Sequence, residues 1–382
     1  MKTLNTCKVG LALTAAAFLG MTTAQAADAI TFSLTDIGTL GGDFSSATAI
    51  NDYGQVTGYS NTADGQYYPF FWDKNSGMVK LGTLGGNFSY PYAINDYGQV
   101  IGFSTTADDQ YRAFLWEKSS GMTNLGTLGG NFSYASGINN LGQVIGASRT
   151  ADGLLRAFLW EKSSGMTNLG TLGGNSSNAR AINDYGQVTG FSTTADGQQR
   201  TFLWEKSSGM SDLGTLGGDS GDITGINNLG QVTGFSHNYA DGQQRAFLWE
   251  KSSGMSDLGT LGGNSSNARA INDYGQVTGF STTADGQDRA FLWEKSSGIL
   301  DLNDLVWAPG WILRYAQGIN NGGQIVGYGS YNGQQRAFLL TPNTSKSVPE
   351  LSSPLAFLAL GAVGAGSLAK RQRQQQEASR RN

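Results

Sequence analysis

Residues 131–174 read NFSYASGINNLGQVIGASRTADGLLRAFLWEKSSGMTNLGTLGG. Turn-forming residues cut this stretch into four short β-type segments. Tyr134 to Asn139 is the first, and Asn140-Leu141-Gly142 turns it. Gln143 to Ser148 is the second. It ends at Ala151-Asp152-Gly153, where glycine accepts the positive φ that a hairpin turn needs. Arg156 to Glu161 is the third, and Ser163-Ser164-Gly165 leads into the fourth, Met166 to Leu169; Gly170 to Gly174 carry the chain onward. In the third segment Phe158 and Trp160 point one way and Ala157 and Leu159 the other, and all four are apolar. A sheet with one wet face would alternate apolar with polar, so this strand is expected to be covered on both faces.

The same block recurs. Ile-Asn-(Asp/Asn)-x-Gly-Gln places its asparagine at Asn51, Asn95, Asn139, Asn183, Asn227, Asn272 and Asn320, at intervals of 44 to 48 residues. Four antiparallel strands at that period make one blade of a propeller. The two ends then become informative. Thr31 to Gly38 aligns with the fourth strand of a copy but has no strands before it, and Arg336 to Leu340 aligns with the third strand but has no fourth after it. A ring whose last blade borrows its outer strand from the N-terminus uses every strand and hides two edges. A solenoid would carry caps at both ends. The expectation is an all-β fold, a seven-bladed β-propeller of four-stranded antiparallel blades closed by an N-terminal strand, over residues 27–342.

Both flanks read as sorting elements. Lys2 and Lys8, the apolar run Val9 to Gly20 and the small residues Ala24-Gln25-Ala26 predict a signal peptide over 1–26, cut by a signal peptidase. The single cysteine, Cys7, lies within it, so no disulfide or thiol chemistry is expected in the mature protein. Residues 343–353 read as a linker, 354–369 as a hydrophobic segment and 370–382 as a basic tail. Val348-Pro349-Glu350, the apolar stretch and the arginines Arg371 and Arg373 resemble the PEP-CTERM sorting signal, although Leu351 stands where that family usually has a second proline. The resemblance implies transient membrane anchoring and release by an exosortase-type processing enzyme in a Gram-negative bacterium. An ordinary C-terminal membrane anchor is the alternative. The repeats, from Leu-Gly-Thr-Leu-Gly-Gly to Ala-Phe-Leu-Trp-Glu, resemble the HAF repeat family of extracellular proteins over roughly residues 36 to 340. That resemblance implies export and brings no activity with it. Between Ala27 and Pro349 there are 18 basic and 27 acidic residues, a net of −9, which leaves no basic footprint for nucleic acid.

Repeated residues read mainly as frame. Trp72, Trp116, Trp160, Trp204, Trp249 and Trp293 hold equivalent positions, with Leu340 in the seventh copy, and read as blade-to-blade packing, with sugar stacking as the other use. Arg112, Arg156, Arg200, Arg245, Arg289 and Arg336 open the third strand and suit a repeated salt bridge or carbonyl contact, or a ring that reads acidic saccharides. The Asn-Asp pairs, such as Asn51/Asp52, lack Asp-x-Asp-x-Asp spacing and read as turn caps, so no metal site is expected. No catalytic residue and no cofactor is assigned, because His237 is the sole histidine and nothing marks a nucleophile beside it. Departures from the repeat supply the candidate ligand contacts. They are His237 and Tyr239 in a lengthened loop, and Trp307 and Trp311 in a lengthened link, the tryptophans serving as either a ligand platform or a plug. The expected function is that of an exported cell-surface or extracellular-matrix propeller that binds polysaccharide or a surface protein. The alternative is a carbohydrate-active hydrolase or lyase using carboxylates from different blades.

Overall fold

The computed structural model describes residues 30–343 apart from 215–216 and 239–242, with only the backbone of 217–220 and 238. The described residues form 28 strands, numbered in chain order, and contain no helix. They build seven four-stranded antiparallel sheets, each a propeller blade. In the first blade β2 (Gly41–Ile50), β3 (Val56–Thr62), β4 (Tyr67–Asp73) and β5 (Gly77–Lys80) lie in that order, and five further blades repeat it. The seventh joins β26 (Trp311–Ile319), β27 (Ile325–Tyr331) and β28 (Gln334–Pro342) to β1 (Phe32–Gly38) in the order β1-β28-β27-β26.

The N-terminal strand therefore closes the ring, as the unmatched strands at the two ends of the repeat predict. Its register runs from Phe32 opposite Pro342 to Asp36 opposite Phe338. Arg336 reaches across to the Asp36 carboxylate at 3.1 Å, and the Asn343 amide donates to the Thr31 carbonyl at 2.8 Å. With β1 in place the outer edge of β28 is paired rather than open.

One boundary differs from the sequence reading. The Gly-Gly residues taken as a link between blades already belong to the innermost strand, which starts at Gly41, Gly85 and Gly129 in the first three blades. The reason is local. Gly41 holds φ 106°, which glycine alone tolerates without strain, and it pairs directly with Thr62. The chain thus turns into the strand at the first glycine instead of after the second.

Strand direction sorts the loops. Links between blades and the Ala-Asp-Gly turns share one face of the ring, here the link face; the Asn-Asp-x-Gly and Ser-Ser-Gly turns share the other, the turn face. The core lies between blades. Phe70, Phe114, Phe158, Phe202, Phe247, Phe291 and Phe338 are fully buried, one per blade, each contributing about 1.5–3 kcal/mol by leaving water. Each cluster is shared by neighbours: Ile101, Ala113 and Leu115 of the second blade pack with Ala135, Ile138, Val144 and Phe158 of the third. Trp72 and Trp116 are buried and Leu340 fills the seventh position, so this set serves packing.

Candidate functional site

The second strand of every blade carries a glycine where a side chain would collide with the innermost strand. A Cβ on Gly58 would lie 2.1 Å from the Ser46 carbonyl oxygen, and one on Gly102 1.9 Å from that of Tyr90. Beside this close approach the innermost strand holds one residue too many. The register jumps from Ala47 to Ala49, leaving Thr48 without a partner, and the same bulge recurs in all seven blades. A β-bulge re-aims the side chain it carries. Here the bulged residues are Thr48, Tyr92, Ser136, Arg180, Thr224, Arg269 and Gln317, and together with Tyr59, Tyr90, Asp222 and Tyr328 they line one cavity of about 530 Å3. Its size falls in the range of about 300–1,000 Å3 that suits small ligands. The frame around it repeats almost without change, whereas these seven positions hold five residue types.

The electrostatics of the cavity are asymmetric. Arg180 pairs with Asp222 of the next blade at 3.0 Å and sits over the Phe191 ring at 5.2 Å. Burial pushes the Asp222 carboxyl above its ordinary range, and the Arg180 guanidinium pulls it back. Arg269 lies over the Phe280 ring at 5.3 Å, and its buried Nε has no hydrogen-bond partner. Burial lowers its proton affinity, but a guanidinium stays charged in protein surroundings. Several hydroxyls are committed to the frame: Ser136 donates to the Ala179 carbonyl at 2.8 Å and Thr224 to that of Ala268 at 3.0 Å. The Tyr90 phenol is pushed well above its ordinary value by burial, and Tyr92 and Tyr328 are raised for the same reason. These tyrosines therefore stay neutral, able to donate hydrogen bonds. Asp222 is the one carboxylate among the described lining residues, and it is held by Arg180.

On the turn face the asparagines form a closed circuit. Asn51 Nδ2 donates to the Asn95 carbonyl at 2.9 Å, and the relay passes blade by blade until Asn320 Nδ2 donates to the Asn51 carbonyl at 2.9 Å. A second circuit lies beside it. The Asp52 amide donates to the Asp96 carboxylate at 2.9 Å, and the pattern runs on through Asn140, Asp184, Asn228, Asp273 and Asn321 back to Asp52. Asn140, Asn228 and Asn321 each bridge two flanking carboxylates with their Nδ2 hydrogens. The asparagines thus cap their own turns and also tie the blades together, a role the sequence reading did not include. Among the described residues no His, Cys, Asp and Glu side chains group in a way that could hold a metal ion.

The sequence-predicted contacts are scattered by the fold. Trp307 is 90% exposed in the link before β26, while Trp311 at the start of that strand stacks on Tyr331 at 5.1 Å and meets Phe338 edge-on at 6.4 Å. The two do not stack on each other. His237 sits half-buried opposite Gln244, Tyr239 lies outside the described residues, and none of the three described ones lines the axial cavity. Val348, Pro349, Glu350, Arg371 and Arg373 also lie outside the described residues, as do 1–26 and the segment 354–369. Arg112 and Arg156 reach the carbonyls of Asn131 and Asn175 at the start of the next blade, which makes them ties between blades. The cavity residues that sequence reasoning missed had one available signal: aligned on the asparagine, the copies hold four residue types five positions before it and five types three positions before it.

No described family's sequence pattern matches this chain, and no curated protein resembles it in sequence. Solved structures do match it. The β-propeller domain of the Trilobed protease from Pyrococcus furiosus superposes with a TM-score of 0.53 at 8% identity, over 78% of this chain and 95% of that one. TolB from Acinetobacter baumannii gives 0.43 at 10% identity over 75% and 79%, and the BP39L lectin from Burkholderia pseudomallei 0.46 at 8% over 81% and 95%. At these identities the likeness is one of fold. The Pyrococcus domain is described as having an open velcro topology, whereas β1 closes the ring here.

Proposed function

We propose that this chain is an exported, surface-directed binding propeller, non-enzymatic, whose axial cavity takes a polysaccharide. One observation carries the reading: seven nearly identical blades each aim one bulged residue into the same cavity, and those residues vary from copy to copy. A frame kept for stability alone has no use for Tyr92, Arg180, Arg269 and Gln317 around one void. Neutral phenols, a glutamine amide and a guanidinium offer hydrogen bonds to hydroxyls, and the rings of Tyr59, Tyr90 and Tyr328 offer flat apolar faces to a sugar. Export, anchoring through 354–369 and release after Val348-Pro349-Glu350 follow from the flanking sequence and would deliver the ring to the cell surface or matrix. The test is a glycan array probed with the purified chain, alongside a Tyr92→Ala and Gln317→Ala double variant. Retention of particular glycans that the double variant loses is the expected result. A chain that retains no glycan refutes the reading.

A further inference from the structure

Among its described lining residues the axial cavity has two arginines and one carboxylate, and the carboxylate is in direct contact with one arginine only. Arg180 and Arg269 come from stretches of identical sequence, Asn175 to Asp184 and Asn264 to Asp273. Their surroundings differ because their neighbours in the ring differ. The blade after Arg180 supplies Asp222; the blade after Arg269 supplies Tyr315 at that position, and Tyr315 is itself bound to Asp288 at 2.7 Å. Both arginines lie over a phenylalanine ring and keep a buried Nε without a partner, but Arg180 has its ion pair and Arg269 has none among the described residues.

A half-buried guanidinium with no direct ion pair is poorly compensated, and it gains when an anion arrives. The planar fork of arginine matches a carboxylate with two parallel hydrogen bonds. With Arg180 and Asp222 cancelling, the cavity carries one net positive charge, which suits a monoanion. The remaining wall is phenol, amide and aromatic face, which suits a ring bearing hydroxyls. We infer that the ligand of the axial cavity is a carboxylate-bearing saccharide, a uronic acid unit, held through its carboxylate by Arg269. The inference rests on the glycan-binding reading above and narrows it. The mature chain has a net charge of −9, so its long-range field repels polyanions; selectivity must come from this local contact, which salt screens weakly.

The experiment uses the purified chain in isothermal titration with four probes: digalacturonate, its methyl ester, cellobiose and tetraglutamate. Digalacturonate is expected to bind roughly 10- to 100-fold tighter than its uncharged ester, the difference a charge-assisted pair supplies. Arg269→Gln should bring the two to the same affinity. Arg269→Lys should retain part of the preference, as a point charge without the fork. Equal binding of acid and ester by the unaltered chain, with sugar affinity still present, overturns the acid selectivity and leaves the glycan reading standing. Binding of tetraglutamate as tight as that of digalacturonate, or no binding of any sugar, overturns both. The acid and ester comparison needs no variant, so it decides even if Arg269→Gln fails to fold.

Discussion

Replacing Asn183 by alanine removes a side chain that is 4% exposed and makes four hydrogen bonds. Its Nδ2 donates to the Gln187 side chain at 2.7 Å and to the Asn227 carbonyl of the next blade at 3.1 Å; its Oδ1 accepts from the Tyr185 and Gln187 amides at 3.1 and 3.0 Å. An intramolecular hydrogen bond contributes about 1 kcal/mol net, and a buried group left unpaired costs about 1–3 kcal/mol. Water reaches the turn amides more readily than the inter-blade carbonyl, so the loss should total about 3 kcal/mol. For a unit spanning Ile30–Asn343, with about 2.1 cal/mol/K of unfolding entropy per residue, that lowers the melting temperature by about 4 to 5 °C. Calorimetry reads the shift, and guanidinium unfolding with an unchanged slope confirms that stability alone has moved. Tyr185→Ala, next in sequence and 76% exposed, is the control and should shift the midpoint by less than about 1 °C. Should Asn183→Ala do no more than the control, the asparagine circuit adds nothing and apolar faces alone hold the blades.

Removing Thr31 to Gly38 should lower the melting temperature sharply and drive concentration-dependent association, seen by light scattering, because β28 then presents an unpaired edge; an unchanged, monomeric melt would speak against closure by β1. Stability should decline in acid. In five turns the threonine two residues upstream holds an aspartate carboxyl, Asp64, Asp108, Asp152, Asp196 or Asp285, below the usual 3.8. A folded value below the unfolded one means stability that is present above 3.8 and lost as pH falls through the folded value. The melting temperature should therefore change little from these groups between pH 7 and 5 and fall below about pH 4, and Thr→Val changes in those five turns should flatten that fall. The two link tryptophans should separate: Trp311→Ala lowers the melting temperature by several degrees through lost contact with Tyr331 and Phe338, whereas Trp307→Ala leaves it in place.

The fold was legible because its causes are local and repeated. Most turns announce themselves by glycine with asparagine, aspartate or serine, and the apolar third strand shows on its own that both faces are covered. The lone Thr31 to Gly38 and the missing last strand then fixed closure by counting. What sequence misread was the start of the innermost strand, since Gly-Gly looks like a break until Gly41 is seen paired with Thr62. It also assigned the asparagines to their own turns alone. Their second role spans 44 to 48 residues to the next copy, and 269 residues where Asn320 meets Asn51. No local pattern marks such a bond.

The candidate site was hidden for a different reason. Sequence reasoning looked for departures in loop length, which led to His237, Tyr239, Trp307 and Trp311, because an insertion stands out in a repeat more than a substitution on a strand does. Yet a bulge in every innermost strand makes one substituted residue per blade a cavity residue, and the ring decides what that residue meets. Near-identical blades need not supply near-identical chemical environments, as Arg180 and Arg269 show. They share ten residues of identical sequence around them, yet one is paired directly with Asp222 and the other is not, since a propeller residue is completed by the following blade and not by its own. Exchanging the two neighbours tests this directly. Tyr315→Asp should give Arg269 the partner that Arg180 has, and Asp222→Tyr should free Arg180. If charge selectivity in the cavity follows the carboxylate and not the arginine, acid-over-ester preference will fall in the first variant and rise in the second.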